Sequence, residues 1–566
     1  MTKAPKGNAA ASQRRSVSNV SIGQYLIQRL RDYGIENIFG IPGDYVLGFY
    51  SMLEQSPIEV IGCTREDCAG FAADAYARLT GMGAVCVTYC VGGLSVCNSI
   101  AGAFAEKSPV VVISGSPGLS ERHNNPLLHH KVRDFRTQLE VFEKFTIAAT
   151  EITDPMTAFA EIDRVLDACD RFKRPVYIEL PRDLVHIVPP VAHAYHGAAW
   201  EPDSRATQEA VAETVAKLRS AERPVIVAGV ELHRFGLQDE VVQLAELTGI
   251  PIAATMLGKS VVSERHPLYL GLYEGALGNP EVAQFVESSD LVLLLGTFLT
   301  DINLGVYTAN LDVAKSVYVT SEQMQISHHH YHNVSLSGFL RELLKSSLPS
   351  VQRAIPQSIL DRRVHRPVEL QTDSSLRISR LMGFIEQRLD KDTIVIADVG
   401  DSLFAATELL THDRGEFLSP AYYTSMGFSL PAAVGANAAR PDHRILVLVG
   451  DGAFQMTGQE LSTLARRGAS PIVLIFDNHG YGTERFLHEG DWDYNEINPW
   501  AYHRLPQIYG RGKGWLVATE GEFVAALDEA WHDRSQPHVI QVKLTENDAS
   551  QTLLNLARRL GQKVGP

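Results

Sequence analysis

Runs of consecutive apolar residues, many of them β-branched, recur along the whole chain without polar alternation. VVVIS (110–114), PVYIEL (175–180), PVIVAG (224–229), LVLLLG (291–296), TIVIAD (393–398), RILVLVG (444–450), PIVLIF (471–476) and HVIQVKL (538–544) are the plainest. A strand with one wet face alternates; a strand covered on both faces does not, and that is the pattern of parallel sheets sandwiched between helices. Amphipathic stretches between the runs supply the crossovers. The chain is therefore expected to be α/β, built from doubly wound parallel sheets.

Two Pro-rich polar stretches, 186–206 and 348–375, interrupt the rhythm. They predict domains over 21–187, 205–348 and 372–548, with a flexible tail over 1–20 and a last helical segment over 549–566. The tail carries Lys3, Lys6, Arg14 and Arg15 without an apolar core, so it is not a secretion signal. A net charge of −15 gives no general attraction to nucleic acid. No apolar run approaches the roughly 20 residues of a membrane span, so no membrane role is expected. Six cysteines without a C-x-x-C pair suit reduced thiols in a cytoplasmic protein.

The most informative stretch is VGDGAFQMTGQELSTLARRGASPIVLIFDNHGYGTE (449–484). One strand runs into Gly450-Asp451-Gly452, and a second strand ends in Asp477-Asn478, with 24 residues between Gly452 and Asp477. Parallel strands deliver their C-terminal ends to one edge, so Asp451 and Asn478 converge as oxygen donors for a hard cation, with glycines letting backbone amides approach phosphate. Mg²⁺ holding a diphosphate is the natural occupant. GRGKG (510–514) lacks the strand, loop and helix of a P-loop. NPLLHHKV (125–132) sets His129 beside His130; taken alone, the pair reads as a solvated loop, because locally supplied zinc ligands usually stand three or four residues apart whereas these two are adjacent. SHHHYHN (327–333) reads as a surface loop rather than a metal tract.

From about residue 20 to 560 the chain resembles the thiamine diphosphate enzymes, most closely the pyruvate and indolepyruvate/phenylpyruvate decarboxylase group. FGIPGDY (39–45), TREDCAGFAADAYAR (64–78), VTYCVGGLS (87–95), AGAFAEKSPVVVISGSP (101–117), LLHHKV, TSMGFSLP, the GDG…DN stretch and GYGTE carry the likeness. Asp477 departs from it, standing where the family usually has Asn. The resemblance implies an N-terminal pyrimidine-binding domain, a central domain and a C-terminal diphosphate-binding domain. The cofactor would lie between the first domain of one subunit and the third of another, making a homodimer the minimum and a tetramer the family expectation.

The same resemblance assigns residues. Glu66 would bond the pyrimidine nitrogen and favour the imino tautomer, the Thr424 carbonyl would receive the aminopyrimidine, and Met426 would bend the cofactor. Thr88, Gly400, Asp401, Gly452, Ala453 and Phe454 would complete its cradle, while Asp451, Asn478 and the Gly480 carbonyl would hold Mg²⁺. The histidine pair then gains a purpose, because releasing an aldehyde needs proton donors that titrate near neutrality. Asp44 and His130 are assigned to protonation and release, Glu484 to decarboxylation and proton transfer, and His129 to positioning.

Substrate choice is read from bulk. Leu403 and Leu556 stand where pyruvate-specific members carry tryptophan, and Thr483 where they carry isoleucine. With Leu487 they predict a wall open to a phenyl, indolyl or branched side chain, while Asp301 resembles an acidic position near the site. The expected reaction is non-oxidative decarboxylation of a small-molecule 2-keto acid to an aldehyde. A pyruvate decarboxylase, an acetolactate synthase-like carboligase and a non-catalytic thiamine diphosphate-fold binding protein are the alternatives.

Overall fold

The computed structural model describes residues 16–17, 19–197, 202–363, 368–490 and 492–564. Its elements form two compact units. The first takes in the described residues up to 197 together with Leu430–Asp442 and Thr457–Arg467; the second takes in the rest.

The first unit holds a six-stranded, wholly parallel sheet in the order Glu59–Gly62, Asn37–Gly40, Gly83–Val87, Val110–Ser116, Val176–Pro181, Ala148–Glu151. Gly83–Val87, Val110–Ser116 and Val176–Pro181 are buried along their full length, as non-alternating sequence requires. The chain enters at Asn37–Gly40, adds Glu59–Gly62 on one side and Gly83–Val87 on the other. The loops after Gly40 and Val87 therefore face each other across a topological switch point, where open α/β sheets bind ligands. Ser21 opens the first helix with a capping box, its hydroxyl taking the Gln24 amide at 3.3 Å and its own amide reaching Gln24 Oε1 at 2.9 Å. In the helix Ser429–Ala439, Gly435 lets two helices touch: a Cβ there would lie 2.0 Å from the Ala72 carbonyl oxygen.

The second unit contains two sheets. One runs Phe417–Leu418, Thr393–Ala397, Arg444–Gly450, Ile472–Asp477, His538–Lys543, Lys513–Val517, all parallel, with its switch point between the strands Thr393–Ala397 and Arg444–Gly450. The other runs Tyr269–Leu272, Ile252–Ala254, Pro224–Ala228, Leu291–Leu295, Ser316–Val319 in parallel, then adds Met324–Ile326 and His329–Tyr331 antiparallel at the edge. Its switch point is shut, since a Cβ on Gly229 would meet the Gly296 carbonyl oxygen at 2.2 Å.

Three sequence expectations need correction. The histidine tract is an edge strand rather than a loop, with His329 Nδ1 3.0 Å from Glu213 and the Tyr331 hydroxyl donating to Glu213 at 2.7 Å. Ser16–Val17, placed in the tail, pairs with His193–Ala194, whereas residues 1–15 and 18 lie outside the described set. The stretch 348–375 contains the helix Gln357–Arg363. All six cysteines are free thiols, and among the described residues no helix is long and apolar enough to cross a membrane.

Candidate active site

Candidate site residues fall into two groups, one in each unit. In the first unit they gather at the C-terminal ends of the parallel strands, around the switch point. Asp44 follows Asn37–Gly40 and Thr88 follows Gly83–Val87; a Cβ on Gly43 would lie 2.5 Å from Thr88, so the two loops touch. The Thr88 hydroxyl is buried and, among the described residues, has no hydrogen-bond partner, which leaves it available to a ligand. Glu66 is the first residue of the helix Glu66–Thr80, and its Cγ lies 3.6 Å from where Gly92 would carry a Cβ, beside Thr88. Glu460 fixes the approach to that helix by accepting from the Thr64 amide and hydroxyl at 2.6 and 2.5 Å.

The two histidines, far from Asp44 in sequence, close on it in space. His129 Nε2 lies 2.8 Å from Asp44 Oδ2, and the His129 ring stacks on Tyr45 at 4.7 Å. His130 sits edge-on to His129 with ring centres 4.8 Å apart, held in the left-handed region at φ 67°. Its Nδ1 is buried with no partner among the described residues. The ligand atoms of Asp44, His129 and His130 all lie within 4.8 Å of one another. Arg182 Nη1 stands 3.6 Å from Asp44 and also pairs with Glu121, so a fixed positive charge borders the triad. Gln138, which the sequence reading missed, anchors the nearby backbone: its side chain accepts from the Cys90 amide at 2.6 Å and donates to Ser114 at 2.8 Å.

In the second unit Gly400 and Asp451 follow the two strands at the switch point. Gly400 takes φ 98° ahead of the helix Asp401–Ala406. Asp451 Oδ1 accepts the Gly452 amide at 2.8 Å and Oδ2 the Gly480 amide at 3.1 Å, which draws the GDG turn and the loop after Ile472–Asp477 together. Burial, aided by the charge of Asp477, pushes Asp451 up to about 7. Such a carboxylate is poised for a cation that would favour its ionised form. Asp477 is itself buried and matched: Gln541 donates to it at 2.6 Å and Lys543 at 2.9 Å, both from the neighbouring strand. That pairing explains how a carboxylate is accommodated where the resembling family has Asn.

The 478–480 loop is tightly specified. Arg485 donates to the carbonyls of Asn478 at 2.9 Å and His479 at 2.7 Å. Gly480 has φ 142°, and a Cβ would lie 1.9 Å from the Asn495 carbonyl oxygen. Gly480→Ala is therefore expected to displace the loop and weaken thiamine diphosphate affinity by about 10- to 100-fold. Fluorescence titration with the cofactor at fixed Mg²⁺ checks this; wild-type affinity would remove Gly480 from the site.

Asp398, Arg485 and Ser550 also escaped the sequence reading. The Asp398 carboxylate accepts the amides of Val399, Gly427 and Ser429 at 2.9, 3.0 and 2.8 Å, pinning the turn that carries Thr424, at φ 54°, and Met426. The acid in ADVGDS was the available signal. Ser550 grips the Asp401 carboxylate through its hydroxyl and, at 2.9 Å, its amide. Burial pushes Asp401 up to about 6. Its side chain thus faces the start of the C-terminal helix Gln551–Val564, and its backbone is what it offers to phosphate. The Phe454 ring is buried edge-on to Tyr502, so its backbone and that of Ala453 are what the GDG turn offers.

Thr483 Oγ1 lies 3.3 Å from where Gly400 would carry a Cβ. Glu484, next in the helix Gly482–Leu487, is exposed yet surrounded enough that desolvation raises its carboxyl above the usual range. The C-terminal helix packs on this helix and on Asp401–Ala406. Leu403 and Leu556 join one buried apolar cluster there with Leu553, and Phe486 packs against it. Both leucines are 3% exposed or less, so they close a wall rather than line an open pocket. Leu487, next to Phe486, is half-buried, and exposed Asp301 lies on the segment whose Phe298 and Ile302 pack on the cluster.

Residues 20–140, 211–346 and 398–542 match the family models described as thiamine pyrophosphate enzyme N-terminal TPP binding domain, central domain and C-terminal TPP binding domain. The chain is 36% identical to an indole-3-pyruvate decarboxylase of Azospirillum brasilense over 96% of its own length and 98% of that protein's. It is 32% identical to pyruvate decarboxylase 3 of Arabidopsis thaliana, over 97% and 94%, and 31% identical to pyruvate decarboxylase isozyme 1 of Saccharomyces cerevisiae, over 96% and 98%. The chain belongs to the thiamine diphosphate-dependent 2-keto acid decarboxylases. For such an enzyme the donors fit the cofactor: oxygen ligands and a glycine-lined turn in one unit, and an unpartnered buried hydroxyl beside a helix-leading glutamate in the other.

Proposed function

We propose that this decarboxylase acts on an aromatic or branched-chain 2-keto acid of the indolepyruvate/phenylpyruvate type, with thiamine diphosphate held through Mg²⁺. The observation that carries the substrate assignment is Leu403 and Leu556 sharing one apolar cluster beside the Thr483–Glu484 helix. A closed wall of aliphatic side chains is apolar and matches an aromatic or branched substrate side chain. Likeness to the Azospirillum enzyme supports the same reading.

When bound, the cofactor accepts the electron pair released as carbon dioxide leaves. Asp451, Asn478 and the Gly480 carbonyl would hold the cation, and the backbone of Gly400 and Gly452–Phe454 the diphosphate. Glu66 would hold a proton at the pyrimidine nitrogen, with Thr88 orienting the ring. Glu484, its carboxyl raised above the usual range by desolvation, is the acid next to Thr483 for proton transfer in decarboxylation. Asp44 and His130 deliver the proton that releases the aldehyde, and His129, held between Asp44 and Tyr45, positions them. As the family resemblance implies, the proposed active assembly is at least a homodimer with sites shared between subunits, in a cytoplasmic setting. The domain limits near 187, 205, 348 and 372 follow the same reading.

Comparing kcat/KM for pyruvate, phenylpyruvate, indolepyruvate and 2-ketoisovalerate tests it. The larger acids are expected to be favoured by about tenfold or more, and Leu403→Trp to reverse that order. A wild-type preference for pyruvate would refute the substrate assignment and leave a pyruvate decarboxylase.

A further inference from the structure

Away from the cofactor residues the second unit contains a cavity of about 840 Å³, within the range of about 300–1,000 Å³ that small-molecule sites occupy. Neither Gly400 nor any of Asp451, Gly452, Asn478 and Gly480 lines it. Among the described residues four carboxylates do, those of Glu274, Asp361, Glu386 and Glu408, against the guanidinium of Arg362.

These acids are not equally committed. Glu386 already accepts the Leu410 amide at 2.8 Å and pairs with Arg265 at 3.1 Å. Glu274 is 2% exposed, and its Oε1 is buried with no hydrogen-bond partner among the described residues. Burial pushes it up to about 7. The nearby cation, Lys259, is spent on Glu264 at 2.7 Å and on the Leu409 carbonyl at 2.6 Å. A buried carboxylate lacking a donor calls for one from a ligand. Apolar walls complete the enclosure: Leu270, Leu277 and Ile359 are all buried and all line it. The acids repel a carboxylate ligand, and the volume far exceeds that of a bare metal ion.

We infer that this cavity binds an organic ammonium ion, its nitrogen on Glu274 and its apolar body against Leu270, Leu277 and Ile359. The cavity shares none of the proposed metal ligands, and the inference does not depend on which keto acid is used.

Isothermal titration of the holoenzyme at pH 8 with 2-phenylethylamine, and with 2-phenylethanol as its neutral match, tests the inference. At that pH the amine is protonated and Glu274 ionised. The amine is expected to saturate one site per chain and to bind about tenfold or more tighter than the alcohol. Glu274→Gln should erase that difference while leaving decarboxylation unchanged. Should that variant not fold, the rim pair Asp361→Asn with Glu408→Gln should still weaken the amine several-fold. Equal binding of amine and alcohol, or wild-type amine affinity in the variants, overturns the inference.

Discussion

His130→Ala, in protein loaded with thiamine diphosphate and Mg²⁺, is expected to cut aldehyde formation by about two to four orders of magnitude, the usual scale of a general acid–base residue. Asp44→Ala should do the same. Asp44 engages His129 at 2.8 Å, and the His130 ring abuts His129 while its own Nδ1 stays buried with no partner among the described residues. Neither residue belongs to the cofactor cradle, so cofactor affinity should hold while turnover collapses. His129→Ala removes a spacer between Asp44 and Tyr45 and should cost less. The three act as one group, so the Asp44→Ala/His130→Ala double variant should fall little below either single one. Measured by coupled aldehyde assay, wild-type turnover in either single variant would sink the assignment.

The strands were legible because burial on both faces writes itself as unbroken apolar sequence: Val110–Ser116 and Leu291–Leu295 are buried throughout. Asp451 and Asn478 were legible for a related reason, since parallel strands carry residues that follow them to one edge, and the Gly480 amide on Asp451 realises that convergence. The grouping of Asp44 with the two histidines was not legible from spacing. Eighty-five residues separate Asp44 from His129, and only the resemblance joined them. Positioning contacts escaped for the same cause, with Ser550 reaching Asp401 from 149 residues away and Asp398 holding Ser429 from 31. Bulk at Leu403 and Leu556 was readable, whereas their closure into one cluster depends on how the last helix packs. The antiparallel edge at His329–Tyr331 was hidden because a short exposed strand has no core face to pattern it.

Asp451→Ala is expected to abolish tight cofactor binding. Truncating one partner of a buried, hydrogen-bonded charge pair costs about 2–5 kcal/mol, or roughly 30- to 5,000-fold in affinity. Here it also strands the Gly452 and Gly480 amides that the carboxylate now accepts. Two controls separate a cation ligand from a loop brace. Excess Mg²⁺ should recover part of the thiamine diphosphate affinity if a ligand is lost, but none of it if only the loop is loosened. Asp477→Asn, which removes a carboxylate one residue from Asn478, should leave cofactor affinity within a few-fold of wild type, because Asp477 spends its charge on Lys543 rather than on a ligand. Cofactor titration followed by intrinsic fluorescence, with circular dichroism to establish folding, reads all three. Undiminished affinity in Asp451→Ala would show that the diphosphate is held elsewhere, and the convergence of the two strand ends would then serve the fold alone.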